Sequence, residues 1–372
     1  MKASLRTRLA AAAAAALLPG LAPSLVHAQE APQEAKMTKT DAGSIKADKT
    51  IVVPSFELPP SIYVSDAAKK AMPATPTDQE AQMRQMLAAG MVPAIRPKIG
   101  QYMAPQIDKL KALYPVVTRD EVIDGVPAVH VTPAGGVPKA NARKILLNLP
   151  GGGFVMGMAP GTGMVESIPL ASLAKVEIVS ITYRQAPETV YPAATEDVVK
   201  VYRQLLKTHK PEDIAVFGCS AGGLLTAEAM AAFIKEGLPL PAAIGIFCAS
   251  ADARWAGDSR AFSRPFQALA SQPRALGYFE GANLEDPQVS PVVAPNLLKR
   301  FPPTLLITAT RAMEMSAAVN THRELVKAGV DADLHVWDGL GHAFFYDPAL
   351  PESREAFDVM TGFFQKRLKL AK

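Results

Sequence analysis

Ile214-Ala215-Val216-Phe217-Gly218-Cys219-Ser220-Ala221-Gly222 is the stretch that decides the fold. Four apolar, β-compatible residues lead into a G-x-S-x-G pattern, and the helix-forming run Leu224-Leu225-Thr226-Ala227-Glu228-Ala229-Met230 follows directly. A serine between a strand and a helix, flanked by glycines, reads as a nucleophile elbow. The sharp turn lifts the hydroxyl clear of the backbone, and the glycines leave room for the bend.

The pattern outward from the elbow is one of alternation. Ile145–Leu149, Glu177–Tyr183, Ile214–Phe217, Ala243–Cys248, Thr304–Thr308 and Ala332–Trp337 are short apolar or β-rich runs. Helical patterns at Glu196–Lys207, Leu224–Lys235, Ser316–Ala328 and Pro351–Leu368 separate most of them. Val116–Val122 and Ala128–Val131 form a leading strand pair across Asp124-Gly125. Apolar strands alternating with helices predict an α/β fold with a mostly parallel sheet covered on both faces. Residues 252–300 break the rhythm with prolines and polar residues and read as an insertion. Before the sheet, Ser65 to about Leu113 is helical with prolines as punctuation. Met83, Met86, Leu87 and Met91 there fall on one helix face, which either packs on the body or lines an acyl pocket as a movable cap.

The chain has 372 residues and is 49% hydrophobic, enough for a large core. Residues 1–28 are expected to be a secretory signal peptide. Lys2, Arg6 and Arg8 precede the apolar run Leu9–Leu18, and Val26-His27-Ala28 offers a cleavage site before Gln29. The apolar run is too short to span a bilayer, so the processed protein is expected to be periplasmic or secreted, without a stable membrane anchor. Residues 29–50 are polar and read as a flexible leader. Without the leader, Lys+Arg falls from 39 to 36 against 35 Asp+Glu, and the net charge falls from +4 to +1. No basic stripe interleaves with aromatics, so nucleic-acid binding is not expected. Cys219 and Cys248 end core strands and are expected as buried thiols rather than a disulfide. No Cys/His/carboxylate cluster has metal-ligand spacing, and no metal or cofactor is expected.

A serine nucleophile needs a base, a group that orients the base, and donors for an oxyanion. Of six histidines, His27 leaves with the leader, His130 and His335 lie in strands, His322 lies in a helix, and His209 lies at the wrong end of the sheet. His342, in Asp338-Gly339-Leu340-Gly341-His342, follows the last strand at the carboxyl end and is the candidate base. Leu149-Pro150-Gly151-Gly152-Gly153-Phe154 follows a strand, and its bare N–H groups, with that of Ala221 after the serine, are candidate oxyanion donors. No GxGxxG pattern or Walker-type lysine accompanies it, so a phosphate cradle is not supported.

These residues together resemble the hormone-sensitive-lipase-like family of α/β-hydrolases, bacterial carboxylesterases among them. The likeness runs from about residue 115 to 365. It rests on Gly151-Gly152-Gly153-Phe154, Tyr183-Arg184-Gln185-Ala186-Pro187-Glu188, Pro192-Ala193-Ala194, Gly218–Gly222 and the His342 loop. The resemblance implies an α/β-hydrolase domain over residues 116–372, with a two-part cap from residues 29–115 and 252–300. It implies Gly152, Gly153 and Ala221 as the oxyanion donors. It also implies that Tyr183 to Ala194 fixes a loop by buried pairing.

Two departures bear on activity. Pro150 stands where the family usually has histidine, so the loop must be held in another way. Ala312 stands where the family's acid usually sits. Glu314, two residues on, is the nearest carboxylate; Asp252, after the strand ending at Cys248, is a second candidate; a Ser–His dyad is a third possibility. The expected activity is hydrolysis of small carboxylic esters through an acyl-enzyme on Ser220. The alternatives are a ligand-binding protein on the same scaffold, or a lactonase or amidase using the same residues.

Overall fold

The structure, a computed structural model, describes residues 43–53, 57–72, 85–262 and 277–371. The chain divides into two units, Met1–Pro59 and Pro60–Lys372. The described part of the first holds a two-stranded antiparallel ladder pairing Ser44–Ile45 with Ile51–Val52. The signal-peptide segment, Met83 and residues 263–276 lie outside the described residues.

The second unit is built on an eight-stranded sheet. In chain order its strands are β1 (Val116–Ile123), β2 (Val126–Pro133), β3 (Ile145–Leu149), β4 (Glu177–Ile181), β5 (Ile214–Cys219), β6 (Ala243–Phe247), β7 (Thr304–Ala309) and β8 (Ala332–Trp337). Their spatial order is β8-β7-β6-β5-β3-β4-β2-β1. Strands β3 to β8 are parallel, while β2 runs antiparallel to β4 and to β1. Asp124 and Gly125, at φ 50° and 80°, make the tight turn between β1 and β2.

The strands β3, β5, β6 and β7 are buried throughout because helices cover both faces. Ile145, Leu147 and Leu149 of β3 join one apolar cluster, and Leu146 joins the other. The first cluster takes in α4 (Ala193–Leu205), α5 (Ala221–Lys235) and α6 (Met315–Lys327). The second takes in α2 (Ile99–Leu113), α3 (Thr162–Ala174) and α7 (Pro351–Leu368). A short α1 (Asp66–Ala71) docks through Ser65, whose N–H and hydroxyl both donate to the Glu352 carboxylate at 2.6 and 3.0 Å.

The structure departs from the sequence reading in places. Strand β4 stops at Ile181, short of Tyr183, which instead turns back to a loop carbonyl. Helix α5 begins at Ala221, three residues before the expected start, so the helix opens directly on the serine. Helix α3 carries no amphipathic stripe, since it is buried almost all round, and the periodicity of the sequence does not announce it. Met86 and Leu87 pack on the core, but Met91 is exposed. The helix at 85–88 ends in a turn where Gly90 N and Met91 N donate to Leu87 O and Met86 O, which takes Met91 off the helix face.

Strands β3 and β5 are neighbours, and the chain runs on from β3 to β4 on one side and from β5 to β6 on the other, in opposite directions. The crevice beyond the carboxyl ends of β3 and β5 is therefore a topological switch point, where open α/β sheets place their sites.

Candidate active site

Ser220 stands in that crevice at φ 57°, ψ −122°, a conformation that non-glycine residues rarely adopt. It is held by its N–H, which donates to Phe247 O at 2.8 Å, and by the packing of β5 on β3. A Cβ on Gly222 would lie 1.7 Å from Leu149 O, and one on Gly218 would lie 2.3 Å from the same atom. The elbow passes so close to the end of β3 that only glycine fits at either position.

His342 sits on the loop after β8, and its Nε2 is 2.9 Å from Ser220 Oγ. Its Nδ1 is 2.9 Å from Glu314 Oε2. A carboxylate only accepts, so Nδ1 carries the proton, and Nε2 is left to accept from the serine hydroxyl. The Glu314 side chain is 0% exposed and that of His342 13%. Glu314 Oε1 accepts from Thr308 Oγ1 at 3.2 Å, so the carboxylate is held at both oxygens. Glu314 is the N-cap residue of α6, where the helix dipole favours negative charge. Ala312 is buried, and the carboxylate beside His342 Nδ1 comes from Glu314, two residues on.

The 252–300 segment grips this acid-bearing loop. Ser259 N donates to Ser316 Oγ and Ser316 N donates to Ser259 Oγ, both at 3.0 Å, while Ser259 Oγ donates to Met313 O at 2.7 Å.

Asp252 is not placed to orient His342, which corrects the second acid candidate. Its carboxylate is buried and committed to Arg254, with Nε to Oδ1 at 2.8 Å and Nη2 to Oδ2 at 2.9 Å, and Arg254 N also donates to Oδ1. Arg254 in turn reaches Glu285. A dyad is not what the side chains form either, because Glu314 occupies the place beside Nδ1.

Gly152 and Gly153 take φ 143° and 65°. A Cβ on Gly152 would lie 2.4 Å from Gly157 N, so the loop folds onto itself there. Among the described residues, the N–H groups of Gly152, Gly153 and Ala221 have no hydrogen-bond partner. Gly152 O accepts from Val155 N and Met156 N at 3.0 and 2.9 Å, which fixes the turn that presents them.

The loop is held without a donor at Pro150. Tyr183 Oη donates to Pro150 O at 2.6 Å, and Gln185 brackets Gly157 by its N–H and its carbonyl, each at 2.8 Å. Arg184 pairs with the buried Asp197 at 2.9 Å, fixing the Tyr183–Ala194 segment, which contains cis peptides at Ala186-Pro187 and Tyr191-Pro192. The sequence does not single out Arg96, which lies just after the Val92–Ile95 turn of helix. It donates to Val155 O at 2.7 Å and Ala186 O at 2.5 Å, and pairs with Glu188 at 2.8 Å. Phe154 stacks on Tyr278 of the 252–300 segment, ring centroids 4.4 Å apart.

Also unmarked by the sequence reading is Glu166 in α3. Its fully buried carboxyl accepts from Gly151 N at 2.9 Å, Asn148 Nδ2 at 2.6 Å and Tyr346 Oη. Burial pushes its pKa up to about 7 against these donors, which pull it down. A lone charge in an otherwise apolar helix was the available signal.

The remaining candidates lie elsewhere. His130 sits between Glu121 and Glu177 at the sheet edge, and His322 Nε2 meets Ala332 O at 3.1 Å. Cys219 and Cys248 are free and buried, and burial pushes both thiols up, so they stay protonated.

A profile of the α/β-hydrolase fold family matches residues 146–346. The chain is 30% identical over 248 residues to an acetyl-hydrolase of Streptomyces hygroscopicus, a match spanning 65% of this chain and 82% of the relative. It is 30% identical over 246 residues to the carboxylesterase/phospholipase LipF of Mycobacterium tuberculosis, spanning 62% of this chain and 65% of the relative. Among solved structures, an esterase designated E25 superposes with a TM-score of 0.73 at 32% identity, covering 86% of this chain and 98% of E25. An esterase of the bacterial hormone-sensitive lipase family superposes with a TM-score of 0.64 at 28% identity, covering 74% of this chain and 98% of that one. The chain belongs to the α/β-hydrolases, in their hormone-sensitive-lipase-like branch.

Proposed function

We propose that this protein is an exported serine esterase that hydrolyses small carboxylic esters through an acyl-enzyme on Ser220. The observation that carries the reading is the continuous chain Ser220 Oγ–His342 Nε2 and His342 Nδ1–Glu314 Oε2, with both links at 2.9 Å. It stands beside three N–H groups, at the switch point of the sheet, that have no hydrogen-bond partner among the described residues.

The chemistry follows from these contacts. Neutral His342 takes the Ser220 proton at Nε2 as Oγ attacks the ester carbonyl. The N–H groups of Gly152, Gly153 and Ala221 take the oxyanion, and Ala221 N adds the field of the α5 N-terminus. The tetrahedral centre collapses as the imidazolium gives its proton to the leaving alcohol. Water then attacks the acyl-serine, loses its proton to His342, and Ser220 recovers it. Glu314 keeps the proton on Nδ1 and stabilises the imidazolium.

A fluorophosphonate probe is expected to label the wild type and not Ser220→Ala; labelling of both, or of neither, overturns the assignment. A p-nitrophenyl ester series of graded acyl length, run on the processed protein, is expected to give the highest kcat/KM on the shortest acyl groups. Export rests on the charged start, the apolar run and the Val26-His27-Ala28 site. N-terminal sequencing of protein from the cell exterior or periplasm is expected to begin at Gln29, and uncleaved protein confined to the cytoplasm contradicts it.

A further inference from the structure

The described parts of the molecule contain one buried carboxyl that touches the active-site loops and that the acyl-transfer scheme does not use. Glu166 projects from the middle of α3 and is buried at the foot of the oxyanion loop, with no cation beside it. Three donors converge on it from three separate elements. Gly151 N belongs to the oxyanion loop itself, one residue before the first donor glycine. Asn148 lies near the end of β3, and its own carbonyl is held by Ser180 Oγ of β4 at 2.7 Å. Tyr346 lies four residues beyond His342, and its carbonyl accepts from Gln106 Nε2 of α2 at 2.5 Å.

The fit around Gly151 is tight. A Cβ there would lie 2.7 Å from Cys219 O, just before the nucleophile, and 2.9 Å from Tyr346 Oη. The nucleophile strand, the oxyanion loop and the base-bearing segment therefore meet at this point. Gly151 is also where the loop needs an anchor. Pro150 has no N–H, so the first amide available to fix the entry of the loop is that of Gly151. An ionised carboxylate satisfies all three donors, since it accepts at both oxygens and donates nothing. A buried carboxyl serving only as core would be more stably replaced by an apolar side chain.

We infer that Glu166 is the positioning residue of the oxyanion loop, setting the direction of the Gly152 and Gly153 N–H groups through Gly151 and locking that loop to the His342 segment through Tyr346. This rests on the esterase reading above and assigns Glu166 no contact with substrate. A glutamine at 166 is isosteric but puts an NH2 in place of one oxygen, against Asn148 Nδ2 or against Gly151 N and Tyr346 Oη, so the network that holds the loop is broken. Deleting an oxyanion donor outright costs about 10²–10³-fold in kcat. A displaced donor costs part of that.

The test is steady-state hydrolysis of p-nitrophenyl acetate by wild type, Glu166→Gln, Tyr346→Phe and the double variant, with kcat normalised to the fraction of Ser220 labelled by fluorophosphonate. Glu166→Gln is expected to lower normalised kcat about 10- to 100-fold while KM changes less than about threefold. Tyr346→Phe is expected to lower it about 3- to 10-fold. The double variant is expected to fall well short of the product of the single losses, because both side chains act through one network. A core-filling role would lower the melting temperature and leave normalised kcat alone. Should Glu166→Gln fail to fold, Tyr346→Phe decides, since it keeps the Gly151 bond and removes only the tie to the His342 segment. Normalised kcat within twofold of wild type in the folded variants overturns the inference alone. A wild type that turns over no ester overturns it together with the esterase reading.

Discussion

The elbow around Ser220 and the loop carrying Glu314 serve the same reaction in the proposed scheme, yet they are specified in opposite ways. The elbow is fixed by backbone collisions. Gly218 and Gly222 each approach Leu149 O too closely for any Cβ, so the residue types are dictated by space that nothing can relieve. The acid loop is fixed by side-chain reach. Ala312 leaves the usual position empty, and Glu314, two residues on, meets His342 Nδ1 with Thr308 and the Ser259–Ser316 clasp behind it. A feature built from backbone contacts tolerates almost no change, whereas one built from side-chain reach can move along the chain as long as the carboxylate arrives at the same atom.

Five substitutions break or sharpen that contrast. The largest effect is expected from Gly222→Ala, whose Cβ has no space beside Leu149 O. It should cost upward of about 4 kcal/mol and all activity, measured by denaturant unfolding and ester turnover; near-normal stability would show that the elbow can relax. Next is Glu314→Gln, which leaves His342 without its anionic partner and should lower kcat about 10³–10⁴-fold. Asp252→Asn should lower kcat less than about threefold, because Asp252 is bound to Arg254 instead.

The fourth concerns pH. Glu166 is raised from its usual value to about 7 by burial, and it faces Tyr346, Asn148, Gly151 N and the buried Cys219 thiol, with Tyr183 nearby. A carboxyl with a raised folded-state pKa favours the folded state while protonated. Its contribution is therefore full below about pH 4.5 and is lost as pH rises to about 7, a change on the order of 3 kcal/mol. Urea unfolding between pH 4.5 and 8 should show this slope in the wild type, reduced by that amount in Glu166→Gln; equal slopes would contradict it. A modest effect is expected from Thr308→Val, which removes one hydrogen bond to Glu314 and should cost kcat about tenfold or less.

The same contrast explains what was legible in the sequence. The strands β3 and β5 to β7 announce themselves as short apolar runs, because burial on both faces leaves no other composition. The elbow and the glycine loop are legible because glycine records close approach. Glu314 is ambiguous in sequence because side-chain reach depends on how a loop folds, and the Ser259 clasp that folds it lies 55 residues earlier in the chain. Helix α3 is hidden for a different reason. Buried on nearly every side, it shows no stripe, and Gly161, Gly163 and Pro169 give it the look of a loop. Its single charge, Glu166, went unmarked with it. Where helix faces alternate between core and water, as in α4 and α6, the pattern is plain and only the ends move by a few residues.

The central claim is that Ser220 carries the acyl group and that Glu314 acts through His342 to put it there. Rapid acid quench of wild type mixed with p-nitrophenyl acetate, followed by peptide mass spectrometry, tests it directly. The prediction is a single acetyl group on the peptide containing Ser220 within the first turnover, formed about 10³–10⁴-fold more slowly in Glu314→Gln. Acetyl on any other residue, no acetyl during active turnover, or an unchanged acylation rate in Glu314→Gln would contradict it.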